Sequence, residues 1–148
     1  MSEIKQVIVM RTKYPDGKGG FFTPRKGKMI AQGAHASMKV FFDRRVGGLG
    51  STVNERLPQP AANVLVVPLD ALMDAWVEGL FTKVCVQVDS EEALLAIVAE
   101  ARVAGLPVAL IEDAGQTEFH GVKTATCCAV GPADAEAIDR ITGGLKLL

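Results

Sequence analysis

Three polar side chains in the stretch GKMIAQGAHA recur at steps of four and three residues: Lys28, Gln32 and His35. On a helix that spacing projects them, with Lys39 one turn further, from a single face. An ammonium, an amide and an imidazole grouped in this way could hold an anion, orient an oxygen and move a proton. Taken singly, a histidine on a helix is more often an ordinary surface residue. Gly27-Lys28 also closes a glycine-rich stretch, which invites comparison with a phosphate-cradling P-loop. That motif needs GxxxxGK followed by Ser or Thr. Here Phe22 stands at the first glycine position and Met29 follows the lysine, so the nucleoside-triphosphate reading fails. A lysine at a helix start still attracts phosphate; the plainer alternative is a glycine-lysine turn with no special role.

A second group lies far along the chain. Asp113 ends the apolar run VALI and enters a glycine turn, with Gly115 and Thr117 beyond it, and Thr126 sits in TATCCAV. A carboxylate leaving a rigid strand is well placed for chemistry, although from these residues alone an aspartate making its own local turn is the stronger reading. No serine or cysteine occupies a nucleophile motif such as GxSxG, so any hydrolysis would use direct attack of water. Cys85, Cys127 and Cys128 have no metal-ligand or disulfide spacing. Apolar neighbours make them buried thiols of a reducing, cytoplasmic compartment.

The elements that must position these groups can be read from hydrophobic period. Lys5–Arg11 (KQVIVMR) is a predicted strand, and 12–27, with its prolines and glycines, a loop. A helix is predicted from Lys28 to about Arg45, with Ile30, Ala34, Met38 and Phe41 as its apolar stripe. Residues 46–69 form a second long surface excursion, with a weak extra edge strand at Asn63–Val67. Asp70 caps a short helix carrying Leu72, Met73, Trp76 and Val77. KVCVQV (83–88) is a strand, and Asp89 or Ser90 caps a helix that places Leu94, Ile97, Val98 and Ala101 inward and closes at Gly105. Strands at Val108–Ile111 and Thr124–Val130 precede a last helix, which Pro132 would open and Gly143-Gly144 would end. This alternation predicts one α/β domain over 1–148, its sheet covered by helices on both faces.

The chain has 148 residues, 22% of them charged, and a net charge of −1. That balance conceals a polarity. Residues 11–45 hold nine Lys and Arg against two acids, whereas 46–148 hold six against fourteen. Such a division suits a basic surface facing a polyanion, or else a merely solvated lysine-rich loop. No apolar run approaches the ~20 residues of a membrane span, and MSEIKQ lacks a signal-peptide core; no membrane association is expected.

Together, KQVIVMR (5–11), GKMIAQGAHA (27–36), KVCVQV after Trp76, GLPVALIEDAGQTEF (105–119), TATCCAVGP (124–132) and IDRITGGLKLL (138–148) resemble the second-type peptidyl-tRNA hydrolases of archaea and eukaryotes. The combination of GK-xxxQ-xxHA, DAG-x-T and T-xxxx-GP, in that order over most of the chain, carries the resemblance. It implies a three-layer α/β/α sandwich with a four-stranded mixed sheet, often a homodimer, with no metal or other cofactor. It also implies cleavage of the ester between a peptide and the 3′ end of tRNA. Lys28, His35, Asp113 and Thr117 would then be catalytic, and Arg11, Gln32, Lys83, Gly115 and Thr126 would contact substrate. Two departures stand out: Arg11-Thr12-Lys13-Tyr14 opens a longer loop than the family's, and the region 44–70 is also extended. The competing expectation is a catalytically silent tRNA- or protein-binding module of the same fold; an intact set of site residues favours the enzyme.

Overall fold

In the computed structural model, which describes residues 2–46, 65–116 and 119–148, strand β1 (Ile4–Arg11) runs through the middle of the protein. Its alternation sends Val7 and Val9 to one side and Ile8 and Met10 to the other, so a strand apolar on both faces must be covered on both. The covering elements are α1 (Lys26–Phe42) and α2 (Ala71–Glu78) on one side. On the other lie α3 (Glu91–Val103) and α4 (Ala135–Thr142). The result is a three-layer α/β/α sandwich.

The main sheet also contains β4 (Lys83–Val88), β5 (Val108–Asp113), β6 (Thr124–Asp134) and β7 (Lys146–Leu147) in the order β5-β6-β1-β4-β7. β1 pairs parallel with β4, with Gln6 opposite Lys83 and Arg11 opposite Val88, and antiparallel with β6. Because β5 is antiparallel to β6, β1, β4 and β5 all finish at the same end. Arg11 and Asp113 therefore leave the sheet together.

Several expectations need correction. The sheet has five strands, not four: beyond Gly143-Gly144 the chain adds β7 to the edge, pairing Val86 with Leu147, and two residues are too few for a periodic signal. The stretch 12–27 is not wholly loop, since β2 (Tyr14–Pro15) and β3 (Phe21–Phe22) form a small separate hairpin. Its turn is organised by Asp16, whose Oδ1 accepts from the Lys18 and Gly20 N–H groups at 2.7 and 2.9 Å. Pro132 lies inside β6; the last helix starts at Ala135 behind an Asp134 cap. Asp70 and Ser90 cap α2 and α3 as their side chains allow.

The orientation of α1 also differs. Ile30 and Met38 are exposed, and Gln32, Gly33, Ala36 and Val40 face inward. Small residues let the helix lie close on the sheet: a Cβ on Gly33 would already sit 3.5 Å from Ile8. The Asn63–Val67 strand falls partly outside the described residues; Val66 makes an isolated bridge with Val46.

Candidate active site

Burying Gln32 under a helix requires partners for both ends of its amide. Nε2 donates to Asp113 Oδ2 at 2.7 Å, and Oε1 accepts from the Thr126 hydroxyl at 3.2 Å. Thr126, wholly buried on β6, thereby fixes which way the amide points. One turn earlier on α1, Lys28 Nζ donates to the same Asp113 oxygen at 2.5 Å. The other carboxylate oxygen accepts the Gly115 N–H at 2.7 Å. Gly115 reaches that position with a φ of +83°, and a Cβ there would meet the Val122 backbone nitrogen at 2.5 Å. The turn after Asp113 is therefore built for glycine.

Three donors thus hold one carboxylate in a site whose side chains are largely, but not fully, withdrawn from solvent. Burial pushes the Asp113 carboxyl up. The Lys28 hydrogen bond, the Gly115 N–H, the Lys28 charge and the Gln32 amide outweigh it and leave the group below its ordinary range. Asp113 is ionised at neutral pH. The Phe119 ring lies 5.5 Å from the Lys28 ammonium and packs on Tyr14, whose own hydroxyl donates to the Arg11 and Thr126 carbonyls. Burial raises the Tyr14 hydroxyl well above the ordinary phenol value, so it remains a neutral structural donor.

The structure thus gathers Lys28 and Gln32 from α1, Asp113 from β5, Gly115 from the turn after it and Thr126 from β6. His35 lies one turn beyond Gln32, exposed, in a shallow depression that includes Ile111 and Lys39, on the same face as Asp113 but outside its hydrogen-bonded cluster. Arg11 is buried and donates to the Lys13 and Ala125 carbonyls, with Glu91 at 3.8 Å and the Tyr14 ring at 4.3 Å; its guanidinium braces the hairpin and borders a cleft of about 380 Å³. Lys83 opens β4 at the opposite end of the sheet, roughly 16 Å of strand from Val88. Its ammonium rests over the Phe81 and Trp76 rings at 3.2 and 4.6 Å, and burial lowers its pKa. Thr117 lies outside the described residues. The aromatic wall of Tyr14, Phe22 and Phe119 was not anticipated. Asp16-Gly17 between apolar or aromatic flanks was the available hairpin signal.

Residues 4–148 match the family described as peptidyl-tRNA hydrolase PTH2. The chain belongs to that family. It is 37% identical to the peptidyl-tRNA hydrolase of Methanocaldococcus jannaschii over 145 residues, which cover 98% of this chain and 100% of that one. The Metallosphaera sedula peptidyl-tRNA hydrolase is 35% identical over the same shares. The human mitochondrial peptidyl-tRNA hydrolase 2 is 30% identical, covering 98% of this chain and 64% of its own. Among the described residues, no helix is long and apolar enough to cross a membrane.

Proposed function

We propose that this member of the family hydrolyses the ester bond of peptidyl-tRNA, with Asp113 directing the attacking water and Lys28 receiving the charge that develops. The observation supporting these roles is the convergence of Lys28 and Gln32 on a single oxygen of Asp113, across more than 80 residues of sequence.

In the resting site Lys28 neutralises Asp113. A carboxylate held in that pair is a weak base, which orients water better than it deprotonates it. As water attacks, the ester carbonyl oxygen becomes negative and draws the Lys28 ammonium toward it. Losing part of that partner raises the proton affinity of Asp113 when the water must give up its proton. The new carbon–oxygen bond forms to water and the bond to the ribose oxygen breaks. The proton on Asp113 then passes to the departing ribose oxygen, either directly or through His35. Gln32, held by Thr126, keeps the carboxylate in register while Lys28 moves. Thr117 is assigned to the catalytic set from the sequence motif DAG-x-T alone.

The basic stretch 11–45 meets the acceptor end through phosphates, so recognition rests on charge and on the unpaired end more than on sequence. Arg11 and Lys83 contribute to substrate contact less directly than Lys28, given where their side chains lie. Ile30 and Met38, exposed on α1, offer apolar surface for a homodimer. Cys127 and Cys128 are buried free thiols, but Cys85 is exposed, contrary to the expectation from its apolar neighbours; a tRNA substrate and free thiols suit the cytoplasm. The test is release of free amino acid derivative from N-acetylated aminoacyl-tRNA by purified protein. Activity abolished by Asp113→Asn is the expected result; a wild-type protein that binds but never cleaves this substrate would reduce the chain to a binding module.

A further inference from the structure

The hairpin β2–β3 carries an aromatic ring to the edge of the site. Phe22 stacks on Tyr14 at 5.6 Å between centroids and lies 6.2 Å from Phe119, the ring that borders the Lys28 ammonium. Tyr14 and Phe119 are buried, but Phe22 is only half-buried. Phe22 and His120 line both the 380 Å³ cleft and a neighbouring depression of about 340 Å³, so Phe22 borders open space on two sides. Arg25 borders the depression, and Arg11 and Lys123 border the cleft. Its carboxylates are engaged locally: Asp16 holds the hairpin turn, and Glu91 lies against Arg11.

We infer that the open face of Phe22 stacks one unpaired base of the tRNA 3′ end, a contact that positions the ester over Lys28 and Asp113. This rests on the hydrolase reading above. Single-stranded ends are held by aromatic faces within basic grooves, and stacking tolerates any base. The scissile ester is carried on the terminal ribose, so a base fixed just beyond Phe119 limits where its carbonyl can lie. Arg25 and Lys123 at the rim, the latter 3.4 Å from Glu112, add positive charge facing the phosphates between those bases, while Arg11 holds the hairpin beneath.

The test compares wild type, Phe22→Leu and Phe22→Tyr on N-acetylated aminoacyl-tRNA and on three versions that each lack one base of the unpaired end. Leucine preserves apolar packing and removes the stacking face; tyrosine restores it. On the intact substrate, Phe22→Leu is expected to lower kcat/KM about tenfold, mainly through KM, and Phe22→Tyr to act like wild type; alanine substitution of base-stacking aromatics has effects of that order. The Phe22→Leu penalty should disappear for one of the three abasic substrates. A penalty of equal size on all three would overturn the assignment, and so would no penalty at all. Stacking is also read without turnover, as quenching of 2-aminopurine placed at the same position by wild type but not by Phe22→Leu; equal quenching by both proteins again overturns it. Absence of hydrolysis by wild type sinks the enzymatic reading instead, while hydrolysis indifferent to Phe22 sinks only this one.

Discussion

Replacing Asp113 by asparagine exchanges one carboxylate oxygen for an NH2 group and removes a charge. Oδ2 accepts from Lys28 and Gln32, and Oδ1 from Gly115. An asparagine has one oxygen for these three donors. If its oxygen faces Gly115, its NH2 confronts two donors; if it is reversed, the Gly115 N–H loses its partner. One or two hydrogen bonds to a charged group are lost, each worth about 1.5–3 kcal/mol. Side-chain exposures of 16% for Lys28 and 12% for Asp113 admit enough water to moderate this, which gives a destabilisation of about 2–3 kcal/mol. The melting temperature should fall by about 5–10 °C, leaving a folded protein at 25 °C. The rate should fall much further, since a positioned base contributes ~10²–10⁴-fold, and the loss should appear in kcat. Stability adds a pH signature. The folded carboxyl lies below its ordinary value, so the stabilisation is complete above the unfolded pKa and is lost as pH falls through the lower folded value. Urea unfolding followed downward from about pH 5 to about pH 2 should show this acid dependence in wild type and less of it in the variant. Single-turnover hydrolysis decides the catalytic part: a folded Asp113→Asn protein retaining kcat within tenfold of wild type would remove Asp113 from the reaction.

Lys28→Met should lower kcat by ~10²–10³-fold, the cost of one oxyanion donor, with Lys28→Arg recovering part of it in the same assay. Gly115→Ala should destabilise the protein by about 2 kcal/mol, because its φ of +83° and its closeness to Val122 both oppose a side chain; equilibrium urea unfolding measures this. Raising salt should lower kcat/KM through KM, because counterion release from phosphate contacts favours binding less as salt rises, and a KM flat with salt would remove the electrostatic role of residues 11–45. Lys83→Met, at the far end of the sheet, should leave kcat within about threefold, as steady-state kinetics would show; a larger fall in kcat, unaccompanied by unfolding, would contradict its placement.

Much of the scaffold was legible because it is written locally. β1, β4, α3 and the caps Asp70 and Ser90 each arise from period or from a side chain that serves its own neighbours. What escaped prediction depends on contacts between distant residues. Period alone made Ile30 and Met38 the inward stripe of α1, yet the helix turns Gly33 and Ala36 to the sheet, where their small size lets it lie close on Ile8. The strand β7 and the hairpin β2–β3 are two-residue pairings, each settled by a partner elsewhere.

Gln32 shows why a site is harder to read than a fold. In the sequence it belongs to a polar stripe with His35 and Lys39, and a polar stripe implies solvent. In the structure it is buried, while His35 is exposed. The difference lies in residues 81 and 94 positions away: Asp113 accepts from its amide and Thr126 donates to it. Without both, burying that amide would be unfavourable, and α1 would have reason to rotate it outward, carrying Lys28 with it. The same three side chains therefore fix the helix and assemble the charged pair, so stability and proposed chemistry share one hydrogen-bond network. A substitution such as Thr126→Val should accordingly loosen Gln32 before it disturbs anything else, lowering activity through the position of Asp113 although residue 126 is too deeply buried to meet the substrate.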